Sequence, residues 1–369
     1  MKYKISSIAS IISGGTPQKN VPEYWGGTIP WITIKDFNSK YVSSVTNYIS
    51  KDGFNNSSVN LTKNNDILIS ARGTVGKLLM VKQGMTFNQS IYCIRPNKQL
   101  VIPDYLYYWL CKNIERIKKG VHGSVFDTIT RKTFDLIEIN LPSLQLQKEK
   151  SKKVKALDDK IELNQRVNAN LDELMSEIFE RYVTEANVFT TDSLSNIANY
   201  KNGLAMQRFR PNGADKGLPV LKIKELNQGF TDSSSDRCSS KISNDVIVKT
   251  GDIIFSWSGT LIVKIWTGTT CGLNQHLFKV TSDKYPKWFI HKWTEYYLRQ
   301  FQSIAAGKAT TMGHIKRSDL KQAEVKIPHK SEIDRLDKLI SPIFKRYVNN
   351  ILEINSLKEL KNELLSKIF

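Results

Sequence analysis

The heptapeptide ELMSEIF occupies residues 173–179, and ELLSKIF occupies residues 363–369. A near-identical pair so far apart asks whether the whole chain is two copies of one plan, since missing a repeat mis-reads the architecture. NDILISARGT at 65–74 matches GDIIFSWSGT at 251–260 with an offset of 186 (252 minus 66). FNQSIYCIRP from Phe87 and LNQHLFKVTS from Leu273 keep that register, as do INLPS with Pro142 and VKIPH with Pro328. By Phe179 and Phe369 the offset is 190 (369 minus 179), so a few residues enter between these landmarks. The repeat unit is half the chain.

Within each copy the order is the same. Short β-branched and aromatic runs such as DILIS, DIIFS and QSIYCIR, punctuated by Gly, Asn, Ser and Pro, predict strands. PDYLYYWLCKNIERIKKG from Pro103 and PKWFIHKWTEYYLRQFQSIAAG from Pro286 carry Pro near the start and Gly at the end, which predicts a helix in each domain. A Pro-marked boundary and a long glycine-free segment follow.

In the first of these segments, from Leu144 to about Tyr182, Leu157, Ile161, Leu171, Met175, Ile178 and Tyr182 fall on one stripe. Asn164 and Asn168 interrupt it, and polar residues in an apolar seam cost stability while fixing register. At ~1.5 Å per residue the helix is ~60 Å long. The second stripe comprises Ile333, Leu336, Ile340, Ile343, Tyr347, Ile354, Leu357, Leu364 and Ile368. A kink or restart is expected at Ser341 and Pro342. The fold expected is α/β (α+β): strand-rich domains at 1–143 and 187–329, and helices at 144–186 and 330–369. The helices pair as an antiparallel coiled coil that separates the domains, in a pseudo-twofold repeat. The competing reading packs each helix on its own domain alone. Leu174, Ile178 and Phe179 are expected to expose apolar surface that a partner covers.

Charge points to the ligand. Lys plus Arg number 54 against 35 Asp plus Glu, a net charge of +19 and a pI near 9.6. Such an excess favours a polyanion, because neutralising phosphates releases counterions; the bland alternative is lysine spread over solvated faces. With 40% hydrophobic residues the chain reads as globular, and no apolar run approaches the ~20 residues of a membrane span. MKYKISSIASIISGG lacks a cleavage site, so a cytoplasmic protein is expected. Cys93, Cys111, Cys238 and Cys271 have neither ligand nor framework spacing, which argues against zinc and disulfides.

The usual catalytic patterns are missing. GTVGK at 73–77 has Leu78 where a phosphate loop needs Ser or Thr, and no nucleophile elbow, zinc helix, dinucleotide fingerprint, NPPY or DPPY occurs. Asp319, Glu324 and Lys326 could form a magnesium-dependent nuclease set, but the matching Glu138–Asn140 suggests a strand edge instead. The chain therefore reads as a binder, with no cofactor or metal of its own. Candidate duplex-DNA contacts in the first copy are Lys35, Arg72, Lys77, Asn88, Gln89, His122, Ser124, Arg131 and Lys132. In the second copy they are Arg208, Arg210, Lys222, Lys224, Trp257, Lys264, Asn274, Gln275, His276, Lys308, Thr310, His314, Lys316 and Arg317. Asn88 and Asn274 serve equally well as turn residues, and lone surface histidines such as His122 and His314 often carry no function.

The openings SGGTPQKNVPEYWGGTIPWITIKDF, the DILIS-to-NQS and DIIFS-to-NQH blocks, the boundaries LPSLQLQKEK and IPHKSEIDRL, and the helix ends ELMSEIF and ELLSKIF together resemble the specificity subunit of type I restriction-modification systems, across essentially the whole chain. The resemblance implies two target recognition domains reading the halves of a split DNA site, with paired helices as a ruler. It also implies docking of two methyltransferase subunits and of restriction subunits, with S-adenosylmethionine, ATP and magnesium on those partners. The subunit and coiled-coil interface would draw on Leu157, Ile161, Asn164, Asn168, Leu171, Leu174, Ile178, Phe179, Ile340, Tyr347, Ile354, Leu357, Leu364 and Ile368. The second copy departs at NGLAMQRFRPNGADKGLPVLKIKEL, which lacks the GGTP opening and leaves its reading loops less certain. A stand-alone DNA binder, a scaffold and the nuclease are the alternatives.

Overall fold

DILIS has no polar alternation because neither face of its strand is wet. In the computed structural model, which describes residues 1–42, 44–119, 128–185, 189–307 and 313–369, every residue of strand Asp66–Ser70 is buried. Side chains alternate across a strand: Ile67 and Ile69 enter one core with Tyr105, Leu106 and Leu110, while Leu68 enters another with Ile32, Leu79 and Phe87. DIIFS does the same, sending Ile253 and Phe255 toward Trp288 and Phe289, and Ile254 toward Val220 and Leu273.

The chain divides into two compact units, Met1–Ile161 with Leu357–Phe369, and Glu162–Ser356. In the first, an antiparallel sheet runs Ala9–Ser13, Ile91–Pro96, Asp66–Ser70, Leu78–Val81. Its counterpart in the second runs Asn199–Asn202, Leu277–Thr281, Ile253–Ser256, Ile262–Ile265. A smaller sheet in the first unit pairs Trp25–Ile32 parallel to Thr86–Phe87, and in the second Leu218–Leu221 lies parallel to Cys271–Leu273. A two-stranded ribbon completes each, Lys2–Lys4 with Glu138–Asn140, and Phe189–Ser193 with Glu324–Pro328. The repeat read from the sequence is thus a repeat of topology.

Helix Pro103–Lys119 packs on the first sheet, but the second copy's expected single helix is two, Lys287–Tyr296 and Leu298–Ala306, broken at Tyr297. The long helices are Leu144–Glu185, the central helix, and Lys330–Ile368, the final helix. No restart occurs at Pro342, which lies inside the final helix; Ser341 Oγ donates to Asp337 Oδ1 in the preceding turn (2.5 Å) instead of capping a new one.

The boundary between units falls inside both long helices, so each unit holds a segment of each. In the first unit Lys150 Nζ donates to Ile368 O (3.4 Å) and Lys361 Nζ to Asp158 Oδ1 (2.6 Å), an antiparallel pairing. In the second, Asn168 Nδ2 donates to Tyr347 O (3.2 Å), again antiparallel. Neither helix packs only on the domain that precedes it. Met175 and Phe179 join the second unit's core with Leu336, Ile340 and Phe344. Phe179, expected to be exposed, is 3% exposed, with its ring 5.1 Å from that of Trp293. Ile178 is half-buried and Leu174 remains exposed. Ile161, Asn164, Asn168, Ile340 and Ile354 are buried, and Leu157, Leu171, Tyr347, Leu357, Leu364 and Ile368 half-buried.

Buried charge locks helix to domain. Lys40 Nζ donates to Asp104 Oδ1 (2.6 Å) and Tyr108 OH (2.8 Å), Tyr108 OH donates to Asp158 Oδ2 (2.7 Å), and Lys361 reaches the other oxygen of Asp158. Burial and then the charge of Asp158 push the Tyr108 hydroxyl far above its ordinary pKa, so it stays a donor. In the second unit Lys292 Nζ binds Asp172 Oδ1 (2.6 Å) and Ser176 Oγ (3.1 Å) on the central helix.

Removing one partner of a buried pair leaves an uncompensated charge, costing about 3–5 kcal/mol. Asp158→Ala is therefore expected to lower unfolding free energy by about that much in urea titrations. Asp159→Ala, which breaks only the exposed pair with Lys155, is expected to change it by less than about 1 kcal/mol.

Candidate nucleic-acid interface

Three loops predicted to touch DNA meet at one residue in each unit. Ala71 N donates to Ser90 O (2.8 Å), and Ala71 O accepts from Ile129 N (2.9 Å). Trp257 N donates to His276 O (3.3 Å), and Trp257 O accepts from Ile315 N (3.1 Å). All three positions keep the offset of 186 (257 minus 71, 276 minus 90, 315 minus 129). A fourth segment joins through Asn88 N to Ile32 O (3.0 Å) and Asn274 N to Leu221 O (3.1 Å).

In the first unit this brings the exposed Arg72, Lys77 and Gln89 into one rim with the turn that carries Lys35 and the helix start that carries Arg131 and Lys132. Gly73 (φ 71°) and Gly76 (φ 89°) shape the 71–77 turn in the left-handed region that glycine tolerates. Asn88 is half-buried; its Oδ1 accepts from Ser90 N (3.0 Å), and Asn274 Oδ1 likewise accepts from His276 N (3.4 Å). Both asparagines thus hold turns. Arg131 Nη2 donates to Ile11 O (2.6 Å), and Arg317 Nη2 to Tyr200 O (3.4 Å), so each anchors a helix start to the large sheet.

The second unit's rim is built of different side chains. Trp257 stacks on Phe278 with centroids 5.6 Å apart and donates from Nε1 to Asn202 Oδ1 (3.1 Å). The rings of His276 and His314 lie 6.0 and 6.3 Å from it. Gln275 Nε2 lies 3.2 Å from His276 Nε2. Lys264 Nζ donates to Asn227 O (2.9 Å) and Lys224 Nζ to Ser234 Oγ (2.9 Å), while Arg208, Arg210 and Lys316 are exposed. Lys222 hydrogen-bonds Asp236 and holds that carboxyl below its ordinary pKa. His122, Ser124, Lys308 and Thr310 lie outside the described residues.

The opening that lacks GGTP keeps its geometry. A Cβ on Gly14 would sit 2.0 Å from Asn88 O, and one on Gly203 would sit 2.2 Å from Asn274 O. Gly203 is the counterpart of Gly14 at an offset of 189 (203 minus 14), a glycine that no GGTP motif marks. Sequence reasoning also passed over Arg237, exposed beside Arg210 and Lys222 in a cavity of the second unit.

Two members of the nuclease set are engaged in structural bonds. Asp319 Oδ2 accepts from Lys316 N (2.7 Å) as a helix cap, and Lys326 Nζ donates to Val183 O (2.8 Å) from the Glu324–Pro328 strand. No described helix is long and apolar enough to cross a membrane.

The chain has known relatives in both sequence and fold. The type I restriction modification DNA specificity domain matches twice, over residues 1–173 and 187–365. The type I restriction enzyme MjaIX specificity subunit of Methanocaldococcus jannaschii is 26% identical over 398 aligned residues, covering 99% of this chain and 91% of the relative. The EcoR124I/EcoR124II specificity subunit of Escherichia coli is 31% identical over 151 residues, 39% of this chain and 37% of its own. The crystal structure of the type I restriction-modification S subunit from M. genitalium shares the fold, with a TM-score of 0.56 at 15% identity, covering 100% of this chain and 96% of that one. With two matching domains spanning nearly all of its length, this chain belongs to the type I restriction-modification DNA specificity family, whose members are non-catalytic recognition subunits.

Proposed function

We propose that this chain recognises a bipartite, asymmetric site in duplex DNA, each unit gripping one half-site, and places two methyltransferase subunits and the restriction subunits on that site. The observation that carries the reading is the rim described above: one hydrogen-bonded frame built twice, with different side chains on it. Arg72 in the first copy stands where Ser258 stands in the second, Ala71 where Trp257 stands, and Ser90 where His276 stands. A shared frame positions the backbone of DNA, and different side chains specify different bases.

The antiparallel helix segments within each unit support a pseudo-twofold relation between half-sites, with helix length setting the unread spacer. Exposed Leu144, Leu146, Leu163 and Leu174 on the central helix, and Leu339 and Leu360 on the final helix, offer apolar surface for partner subunits. S-adenosylmethionine, ATP and magnesium would then act on those partners, and this chain supplies the address in the cytoplasm.

Two outcomes are expected. Arg72→Ala combined with Lys77→Ala should weaken duplex binding and flatten the slope of log affinity against log salt by up to about 2, near 0.9 for each phosphate left without its cation; an unchanged slope contradicts the placement of DNA on this rim. Inserting a heptad pair into both long helices should change the spacer length in methylation mapping and leave both half-sites as they were, whereas an unchanged spacer sinks the ruler.

A further inference from the structure

The second unit carries a cavity of about 390 Å³ lined by Arg210, Lys222, Arg237, Asp236 and Asn274, with Met206 and Val220 among its apolar walls. Three cations face one carboxylate. Asp236 engages Lys222, and Arg237 donates from Nε and Nη2 to Lys216 O (2.9 and 2.7 Å), which holds it in place. The Arg210 guanidinium, exposed, has no protein acceptor among the described residues. Asn274 is 7% exposed; its Oδ1 is used by His276 N, and its amide N–H groups find no acceptor among the described residues. Three cations against one carboxylate, whose Oδ2 engages Lys222, leave the lining net positive, so its complement is an anion rich in acceptors.

The first unit has the same backbone here and none of the charge. Arg237 pairs across the small sheet with Pro219, as Tyr48 pairs with Pro30. Lys222 precedes the helix whose Glu225 accepts from its backbone, as Thr33 precedes the turn whose Asp36 does so. Both correspondences keep the offset of 189 (237 minus 48, 222 minus 33). One fold position therefore presents Tyr and Thr in one unit, and Arg and Lys in the other.

We propose that this cavity is an anion site that holds one backbone phosphate of the half-site gripped by the second unit, with Arg210 as the closing arm and Asn274 as the donor at the floor. The proposal rests on the DNA reading above and adds a chemical class, a place and an asymmetry to it.

The test uses the full chain. In duplex titrations over a range of salt, Arg210→Ala should lower the slope of log affinity against log salt by about one and weaken all duplex sequences equally; Arg210→Lys should restore most of the slope. An unchanged slope with altered base preference at one half-site overturns the phosphate assignment in favour of a base edge. Because Arg210 makes no hydrogen bond within the protein and touches Asp236 only through its exposed charge, its loss should leave the urea midpoint nearly unchanged, which separates lost binding from misfolding. Inorganic phosphate titrated calorimetrically into the same proteins separates the two proposals. If the wild-type chain bound no duplex, the DNA reading would fail, yet saturable phosphate binding lost in Arg210→Ala would keep the anion site. With neither duplex nor phosphate bound, both fall.

Discussion

A strand with two dry faces governs this molecule. Ile67 and Ile69 on one side of Asp66–Ser70, and Leu68 on the other, require a helix-bearing layer and a second sheet at once. With both faces fixed, the strand has one register, since a slip of one residue would exchange the two cores. The turn that leaves it, Ala71 to Lys77, is therefore held in place from behind, and so are the loops tied to Ala71. The same logic repeats through Ile253, Ile254 and Phe255 to Trp257. Rigid packing beneath carries unlike side chains above in the two units, as the proposed reading of two different half-sites requires.

The helices are fastened by another means. Apolar burial fixes the seam, but Asp158 and Asp172 receive buried lysines from the domain or the final helix. Buried pairs contribute little net stability and much specificity of arrangement when every partner is satisfied. Asn164, Asn168 and Asn350 are buried with at least one unbonded polar atom each, a cost that uniform leucine would avoid. Such residues penalise other registers.

Much of this was legible in the sequence for identifiable reasons. The repeat, the strand positions of DILIS and DIIFS, and both long helices follow from periodicity and punctuation, which are local. The break at Tyr297 and the uninterrupted passage through Pro342 depend on packing that periodicity does not encode. Phe179, expected to expose apolar surface for a partner to cover, is instead covered within its own unit by Trp293. Among the candidate DNA contacts, residue type alone could not tell Arg72, exposed on a turn, from Arg131 and Arg317, whose guanidinium groups reach carbonyls of the sheet. Gly203 and Arg237 were hidden because the second copy's opening shares no motif with the first, although backbone geometry equates them with Gly14 and Tyr48.

Two copies of one frame are proposed to read two different DNA half-sites. That reading is tested most directly by mapping methylated bases across genomic DNA in cells that carry the methyltransferase subunits, with and without this chain. The expected result is a split motif, two unlike half-sites around an unread spacer, that disappears when the chain is deleted. A methylation pattern indifferent to the chain, or a single uninterrupted motif, would contradict it.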